Sequence, residues 1–157
     1  MQVRDLGIPV IRLALMQDAP AISACAAEAY AVYVDRMGQK PAPMLADYAQ
    51  QTAAGVVHLA CDAQGALEGF IVFYPQGRHM MLENEAVTAG AAGQGVGKAL
   101  VRFCEAQARR LGCEAVRLYT NEAMTENLAI YPRLGYTEVG RGAEHGYNRV
   151  YFEKRLL

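Results

Sequence analysis

Apolar and polar positions along the chain follow two periods, which divide it into strands and helices. Alternation, or short apolar runs between turn residues, predicts about seven strands, over residues 9–15, 56–61, 67–74, 80–87, 115–120, 136–141 and 147–154. Apolar residues three and four positions apart predict about four helices, the first from Asp18 to a proline break at 40–43, the others over 44–54, 95–111 and 125–134.

The connections between these elements indicate how the strands pair. Short turns at 62–65 and 75–77 join three consecutive strands into an antiparallel meander over 56–87. The 115–120 strand follows a helical crossover, so it should lie parallel to the 80–87 strand. No repeat or linker interrupts the pattern, and we expect a single α/β (mixed α+β) domain over 1–157.

A glycine-rich turn separates the 80–87 strand from the next helix. Gly93, Gly95 and Gly97 let the backbone bend sharply and approach a ligand closely. Successive N–H groups can then converge on anionic oxygens, and the helix adds the positive end of its dipole. The stretch therefore predicts a phosphate cradle.

Two common phosphate motifs do not match this turn. A Walker loop needs Gly at Ala92 and Ser or Thr at Ala99. In the dinucleotide fingerprint counted from Gly93, the third glycine falls on Lys98. A nucleotide-binding regulator is therefore disfavoured.

Two motifs in this order resemble the GCN5-related N-acetyltransferase family. Residues 92–97, Ala-Gly-Gln-Gly-Val-Gly, are similar to its acyl-CoA pyrophosphate loop, Arg/Gln-x-x-Gly-x-Gly/Ala, except that Ala92 replaces Arg or Gln. Further on, Tyr131, Gly135 and Tyr136 match the family's Tyr-x-x-x-Gly-Phe in spacing, with Asn127 at one version of a variable interval before them. The resemblance covers about 56–155 well and the first 55 residues in outline.

The resemblance implies a fold and a co-substrate. The fold is a twisted mixed sheet whose 80–87 and 115–120 strands splay apart to admit the pantetheine arm of acetyl-CoA. The implied acetyl-CoA-binding residues are Glu85, Val87, Ala92, Gly93, Gln94, Gly95, Val96, Gly97, Lys98, Asn127 and Tyr131. Because Ala92 cannot supply the usual side-chain contact, we expect weaker binding of acetyl-CoA and not its loss.

Transfer of an acetyl group to an amine requires a base, since an alkyl amine with a pKa near 10.4 is almost fully protonated at pH 7. Regular alternation places Glu83 and Glu85 on one face of the 80–87 strand. Either carboxylate is a candidate base, directly or through a water, and their like charges could raise one pKa. By resemblance, Tyr131 is the general acid for the departing thiolate. No Ser-His-Asp or Cys-His order stands out, which favours direct transfer.

The helices over 22–54 are expected on the substrate side of the domain. Tyr30, Tyr33 and Arg36 are the candidate substrate-binding residues there, because loops and breaks on a rigid scaffold tend to carry specificity. The acceptor is expected to be the amine of a small molecule or a peptide. The alternative is a non-catalytic module that binds or senses acyl-CoA.

The charge and composition of the chain also limit the classes of partner that it is expected to bind. A net charge of −1 and a charged fraction of 20% provide no basic field for nucleic acid or an anionic membrane. No apolar run reaches membrane-spanning length, and the first residues lack signal-peptide character, so we expect a cytoplasmic protein. The four cysteines lack metal or redox spacing. We therefore predict no metal, buried thiols, and a possible homodimer through exposed terminal strands.

Overall fold

Seven strands and five α-helices follow one another along residues 8–157, the part of the chain that the computed structural model describes. The strands are β1 (Val10–Leu13), β2 (Val57–Cys61), β3 (Leu67–Gln76), β4 (His79–Val87), β5 (Ala115–Asn121), β6 (Thr137–Glu144) and β7 (Tyr147–Arg155). The helices are α1 (Ala19–Tyr30), α2 (Val32–Met37), α3 (Tyr48–Ala53), α4 (Val96–Arg110) and α5 (Thr125–Arg133). The first seven residues of the predicted domain lie outside the described residues.

The strands form one mixed sheet in the order β1-β2-β3-β4-β5-β7-β6. β1 with β2, β2 with β3, β5 with β7 and β6 with β7 are antiparallel, whereas β4 and β5 are parallel. The prediction of a seven-stranded mixed sheet with a parallel central pair is therefore confirmed. The β4–β5 register ends at Leu82 and Leu118, although β4 continues to Val87 and β5 to Asn121.

The helices before β2 differ from the prediction, which expected two. The first one ends at Tyr30, and α2 follows after Ala31, so the described residues contain five α-helices and not four. Gly38, with a φ of +70°, ends α2. The prolines that follow allow only a 3₁₀ turn over Ala42–Met44, because proline disfavours helical geometry in its predecessor. Helix α3 therefore begins only after Asp47, whose side chain accepts a hydrogen bond from the Gln50 amide.

The described chain divides into two compact units, and β3, β4 and α4 contribute to both. The first unit comprises 8–73 and 84–103, and its largest buried side chains include Tyr48, Phe70, Ile22 and Leu59. The second comprises 74–83 and 104–157, with Phe152, Leu118 and Met80 in its core. Among the helices described, none has the length and apolar character needed to cross a lipid bilayer.

Candidate active site

The loop between β4 and α4 has the backbone geometry of an anion cradle. Gly93 and Gly95 have φ values of +79° and +81°, in the left-handed region that side chains other than glycine rarely adopt. In the first turn of α4, Ala99 is the amide that bonds back, to the Gly95 oxygen at 3.0 Å. The three preceding amides point out of the helix start, as the first amides of any helix do. They are suited to bind anionic oxygens.

Gly97 serves a different purpose from the two glycines before it. A Cβ at Gly97 would lie 3.3 Å from Oε2 of Glu85 and 3.5 Å from a methyl group of Val87. Glycine at this position therefore lets the first turn of α4 pack directly on β4. In the same loop Ala92 and Lys98 are exposed, and the Gln94 side chain donates to the Gly90 carbonyl at 3.2 Å.

Glu85 carries a carboxyl group with unusual surroundings. Its Oε2 atom is inaccessible and has no hydrogen-bond partner among residues 8–157. Burial raises the pKa of this carboxyl from 4.5 to about 7, because removal from water disfavours the charged form. The backbone carbonyl of Glu85 accepts a hydrogen bond from the Tyr30 hydroxyl at 2.9 Å.

Glu83 lies in a different environment, within the second unit. Its carboxylate accepts a hydrogen bond from the Tyr74 hydroxyl at 3.2 Å. Burial first, and then the Glu83 charge, raise the pKa of Tyr74 to about 12. The expectation that two like charges raise one pKa is wrong in its cause: burial accounts for the raised pKa of Glu85, and the Glu83 charge is not among its causes.

Tyr131 is buried in the second unit on α5. Its ring lies edge-on to Tyr136, with ring centres 5.8 Å apart, and 5.9 Å from the ring of Phe152. Asn127, one turn earlier, donates from Nδ2 to the Thr120 hydroxyl at 3.1 Å. These contacts hold both side chains against the carboxyl end of β5 and against β7.

The sequence pattern does not predict a buried polar network that lies next to Tyr131. Glu105 on α4 is 1% exposed and accepts hydrogen bonds from the Tyr136 hydroxyl at 2.9 Å and from Nζ of Lys154 at 3.0 Å. The sequence does contain a signal for this network, namely a glutamate on an otherwise apolar helix face. Such a residue is rarely buried without a partner.

The three predicted substrate residues lie on α1 and α2. Tyr30 is buried and bonded to the β4 backbone. Tyr33 is half-buried, with its ring centre 6.2 Å from that of Tyr30, and the Arg36 guanidinium lies 5.2 Å above the Tyr33 ring.

Metal ligands and cysteine thiols are the remaining groups that could carry chemistry. Among the residues described, no group of three or more His, Cys, Asp or Glu side chains could hold a metal ion. Cys25, Cys61 and Cys104 are buried free thiols, and Cys113 is a half-buried one.

Comparison with solved structures shows the same fold in known acetyltransferases. Nourseothricin acetyltransferase is 25% identical, with a TM-score of 0.59 over 64% of this chain and 65% of that one. PaiA N-acetyltransferase from Thermoplasma acidophilum in complex with coenzyme A is 16% identical, with a TM-score of 0.75 over 93% and 98%. Ribosomal-protein-S18-alanine N-acetyltransferase from Escherichia coli is 16% identical, with a TM-score of 0.74 over 95% and 94%. The chain thus spans 65% of the first of these proteins and nearly all of the other two.

Comparison with sequences places the chain in a family. No curated protein sequence matches it. A model of the acetyltransferase (GNAT) family matches residues 24–136, a range that includes the glycine loop, Glu83, Asn127 and Tyr131. Because this match extends over more than half of the chain, the chain belongs to the acetyltransferase (GNAT) family of enzymes.

Proposed function

We propose that the chain transfers an acetyl group from acetyl-CoA directly to a primary amine of a small molecule or a peptide. The observation that carries the proposal is the glycine loop, which follows β4 and ends in the outward-pointing amides of α4. A helix start that can bind anions and that follows a central parallel strand in the chain is suited to a pyrophosphate group. Family membership supports the same reaction class.

The residues of the loop fit acetyl-CoA, which supplies the thioester that donates the acetyl group. The backbone amides of Val96, Gly97 and Lys98 are assigned to the pyrophosphate. Backbone groups of Val87 are assigned to the pantetheine arm, since the β4–β5 register has already ended at Leu82. On α5, Asn127 and Tyr131 are the proposed contacts to the arm's amides and sulfur.

We assign the base to Glu83. An alkyl amine must lose a proton before it attacks, and a positioned base contributes roughly 10²–10⁴-fold to the rate. Both residues are half-buried, but the Glu83 carboxylate is held by Tyr74, whereas Oε2 of Glu85 is inaccessible beside Gly97. A raised pKa alone does not qualify Glu85, because a base must also reach the proton that it removes.

We assign stabilisation of the leaving thiolate to Tyr131. Full transfer from a phenol with a pKa near 10 to a thiolate near 8.5 is uphill by about 2 kcal/mol. A hydrogen bond to the sulfur is therefore the expected role, with the final proton supplied by solvent. The aromatic contacts of Tyr131 with Tyr136 and Phe152 keep its ring in one position.

Calorimetric titration with acetyl-CoA, with ATP and NAD as controls, tests the donor half of the proposal. Release of CoA thiol, followed with a thiol reagent across a panel of amines, tests transfer. We expect acetyl-CoA to bind with a micromolar Kd, whereas ATP and NAD should not bind. We also expect CoA thiol to be released only when a suitable amine is present. Glu83→Gln should lower kcat about 10²-fold or more, and a kcat within twofold of the wild type would remove Glu83 from the mechanism.

A second candidate function is a non-catalytic acyl-CoA-binding or sensing module. The observation that favours it is Ala92, which is exposed and brings no side-chain contact to the loop. This alternative predicts that acetyl-CoA binds, that no amine releases CoA thiol, and that Glu83→Gln leaves binding intact.

We also propose a cytoplasmic location and a homodimer formed through the terminal strands. The homodimer is supported by β1 and β6, which end the sheet, and by Val139 on β6, which is 58% exposed. Light scattering of the purified protein measures the oligomeric state.

A further inference from the structure

A cavity of about 620 Å³ lies within the second unit, and strands from β3 to β7 line it. Its lining includes Tyr74, Tyr119, Arg149 and Tyr151, and the apolar Leu118 and Phe152 border it as well. Small-molecule sites typically measure about 300–1,000 Å³. The cavity therefore has the size of a site for a small ligand.

The register of β5 and β7 shows which side chains share the cavity's face. Tyr119 is opposite Tyr151 and Arg117 is opposite Glu153, whereas Leu118 is opposite Phe152. Because successive side chains of a strand point to opposite faces, the Tyr119–Tyr151 pair and the Phe152 side chain point to opposite faces of this pair of strands.

Both proposed catalytic groups contact residues that line the cavity. Tyr131 packs its ring on Phe152. Glu83 is bonded to Tyr74, which lines the cavity, and its charge contributes to the raised pKa of Tyr119, after burial. The base is therefore associated with the cavity through Tyr74, and Tyr131 contacts the cavity's border through Phe152. An amine that attacks from the cavity would have the base on its own side.

The carboxylates that line the cavity already have donors. Glu144 accepts a hydrogen bond from the Tyr151 hydroxyl at 2.8 Å and pairs with Arg149 at 3.2 Å. Glu153 accepts from Nε of Arg117 at 2.7 Å. The lining therefore offers a ligand few acceptors that are still available.

The guanidinium groups, in contrast, retain donors. The side chain of Arg149 is 11% exposed, and its guanidinium lies 4.0 Å above the Tyr119 ring. A guanidinium has five N–H donors; Arg149 uses Nη1 for Glu144 and makes a further hydrogen bond with the Tyr151 hydroxyl, which leaves donors for a ligand. Contact with the Tyr119 ring and with Glu144 restricts the group, and its planar fork favours a planar, two-point acceptor.

We propose that this cavity binds the acceptor, and that the acceptor is a small primary amine that carries a carboxylate group, as an amino acid does. Arg149 binds the carboxylate, and Tyr119 and Tyr151 pack against the body of the molecule. Two arginines in the lining are matched by two glutamates, so a singly charged carboxylate suits the cavity better than a doubly charged phosphate. The proposal rests on the function proposed above.

The transfer step balances for a neutral amine. The amine nitrogen forms the amide bond while the carbon–sulfur bond of the thioester breaks, and the sulfur leaves with the electron pair of that bond. The proton that the amine loses passes to Glu83, and one proton is returned to the sulfur. The products are an N-acetylated carboxylate and the CoA thiol.

Matched acceptors test the carboxylate requirement by CoA thiol release. Phenylalanine is compared with phenethylamine, and β-alanine with phosphoethanolamine, so that each pair differs mainly in its anionic group. We expect kcat/KM to be at least tenfold higher for the carboxylate member of each pair. Equal values within a pair, or a preference for phosphoethanolamine, would overturn the carboxylate assignment.

Variants of Arg149 test the residue. Arg149→Gln should raise KM for the carboxylate acceptor about 10- to 100-fold with kcat nearly unchanged, and should change KM for phenethylamine less than twofold. Arg149→Lys keeps the charge but loses the planar fork, so it should recover only part of the loss. The matched control is Arg141→Gln on the same hairpin, where an exposed guanidinium pairs with Glu138. An equal rise in KM for both acceptors would indicate a structural effect and overturn the proposal.

A binding measurement shows whether the cavity proposal or the proposed acetyl transfer has failed. Phenylalanine is titrated calorimetrically into the protein in the presence of CoA, and melting temperatures confirm that the variants fold. Binding that Arg149→Gln abolishes supports the cavity even if no amine releases thiol, in which case only the proposed transfer fails. Thiol release from other amines without phenylalanine binding would leave the transfer standing and overturn the cavity proposal.

Discussion

Replacement of Glu85 by glutamine should stabilise the protein in a pH-dependent manner. Burial raises the pKa of the Glu85 carboxyl from 4.5 to about 7, and its Oε2 atom has no partner in the described part of the chain. At about 1.4 kcal/mol for each pH unit between the two values, the fully charged carboxylate costs the folded state about 3–4 kcal/mol.

The direction of the pH dependence follows from proton binding. Below pH 4.5 the carboxyl is protonated in the folded and the unfolded state, and it adds no penalty. Between pH 4.5 and 7 the folded protein keeps a proton that the unfolded chain has released, so this group lowers stability as the pH rises. Above pH 7 the penalty is fully present. It amounts to about 1 kcal/mol at pH 5 and about 3 kcal/mol at pH 8.

Urea unfolding of wild type and Glu85→Gln at pH 5 and pH 8, followed by circular dichroism, measures the effect. The gain in free energy of unfolding of the variant over wild type should be about 2 kcal/mol larger at pH 8 than at pH 5. Any cost of burying the amide is the same at both pH values and cancels. Glu83→Gln, on the same strand, should not reproduce this gain. A Glu85→Gln difference that does not change with pH would refute the reasoning.

Three further changes have definite expected outcomes. Gly69→Ala should lower the free energy of unfolding by about 1–3 kcal/mol, because its Cβ would lie 2.7 Å from the backbone oxygen of Ala86; urea unfolding measures this, and Gly140→Ala, with no atom within 4 Å of its Cβ, is the control. Ala92→Arg should tighten acetyl-CoA binding by up to about 1 kcal/mol, and an unchanged Kd in calorimetry would mean that the loop does not use this position. Glu105→Ala should cost about 3 kcal/mol of stability, since it leaves the buried Tyr136 hydroxyl without its acceptor and removes the ion pair with the half-buried Lys154; a loss below about 1 kcal/mol in urea unfolding would contradict this role.

Local patterns along the sequence determined most of the fold. Strand alternation and the two short turns predict the β2–β4 meander. The face that a side chain occupies depends only on whether its position in the strand is odd or even, and a hairpin depends only on its turn residues. The parallel β4–β5 pair follows from the helical crossover between them, since a parallel connection needs one. Spaced glycines predict the loop before α4, because left-handed backbone at Gly93 and Gly95 is a property of single residues.

Only the tertiary structure decided how the candidate site residues differ. Glu83 and Glu85 look equivalent in the sequence, yet Tyr74 holds one carboxylate and Gly97 packs against the other. The Tyr30 hydroxyl meets the Glu85 carbonyl 55 positions away, and no local pattern specifies such a partner. The cavity depends likewise on the β5–β7 register, which brings Tyr119 opposite Tyr151. Burial, and with it the pKa of a carboxyl group, is set by which distant segments cover a residue, so it could be found only in the folded chain.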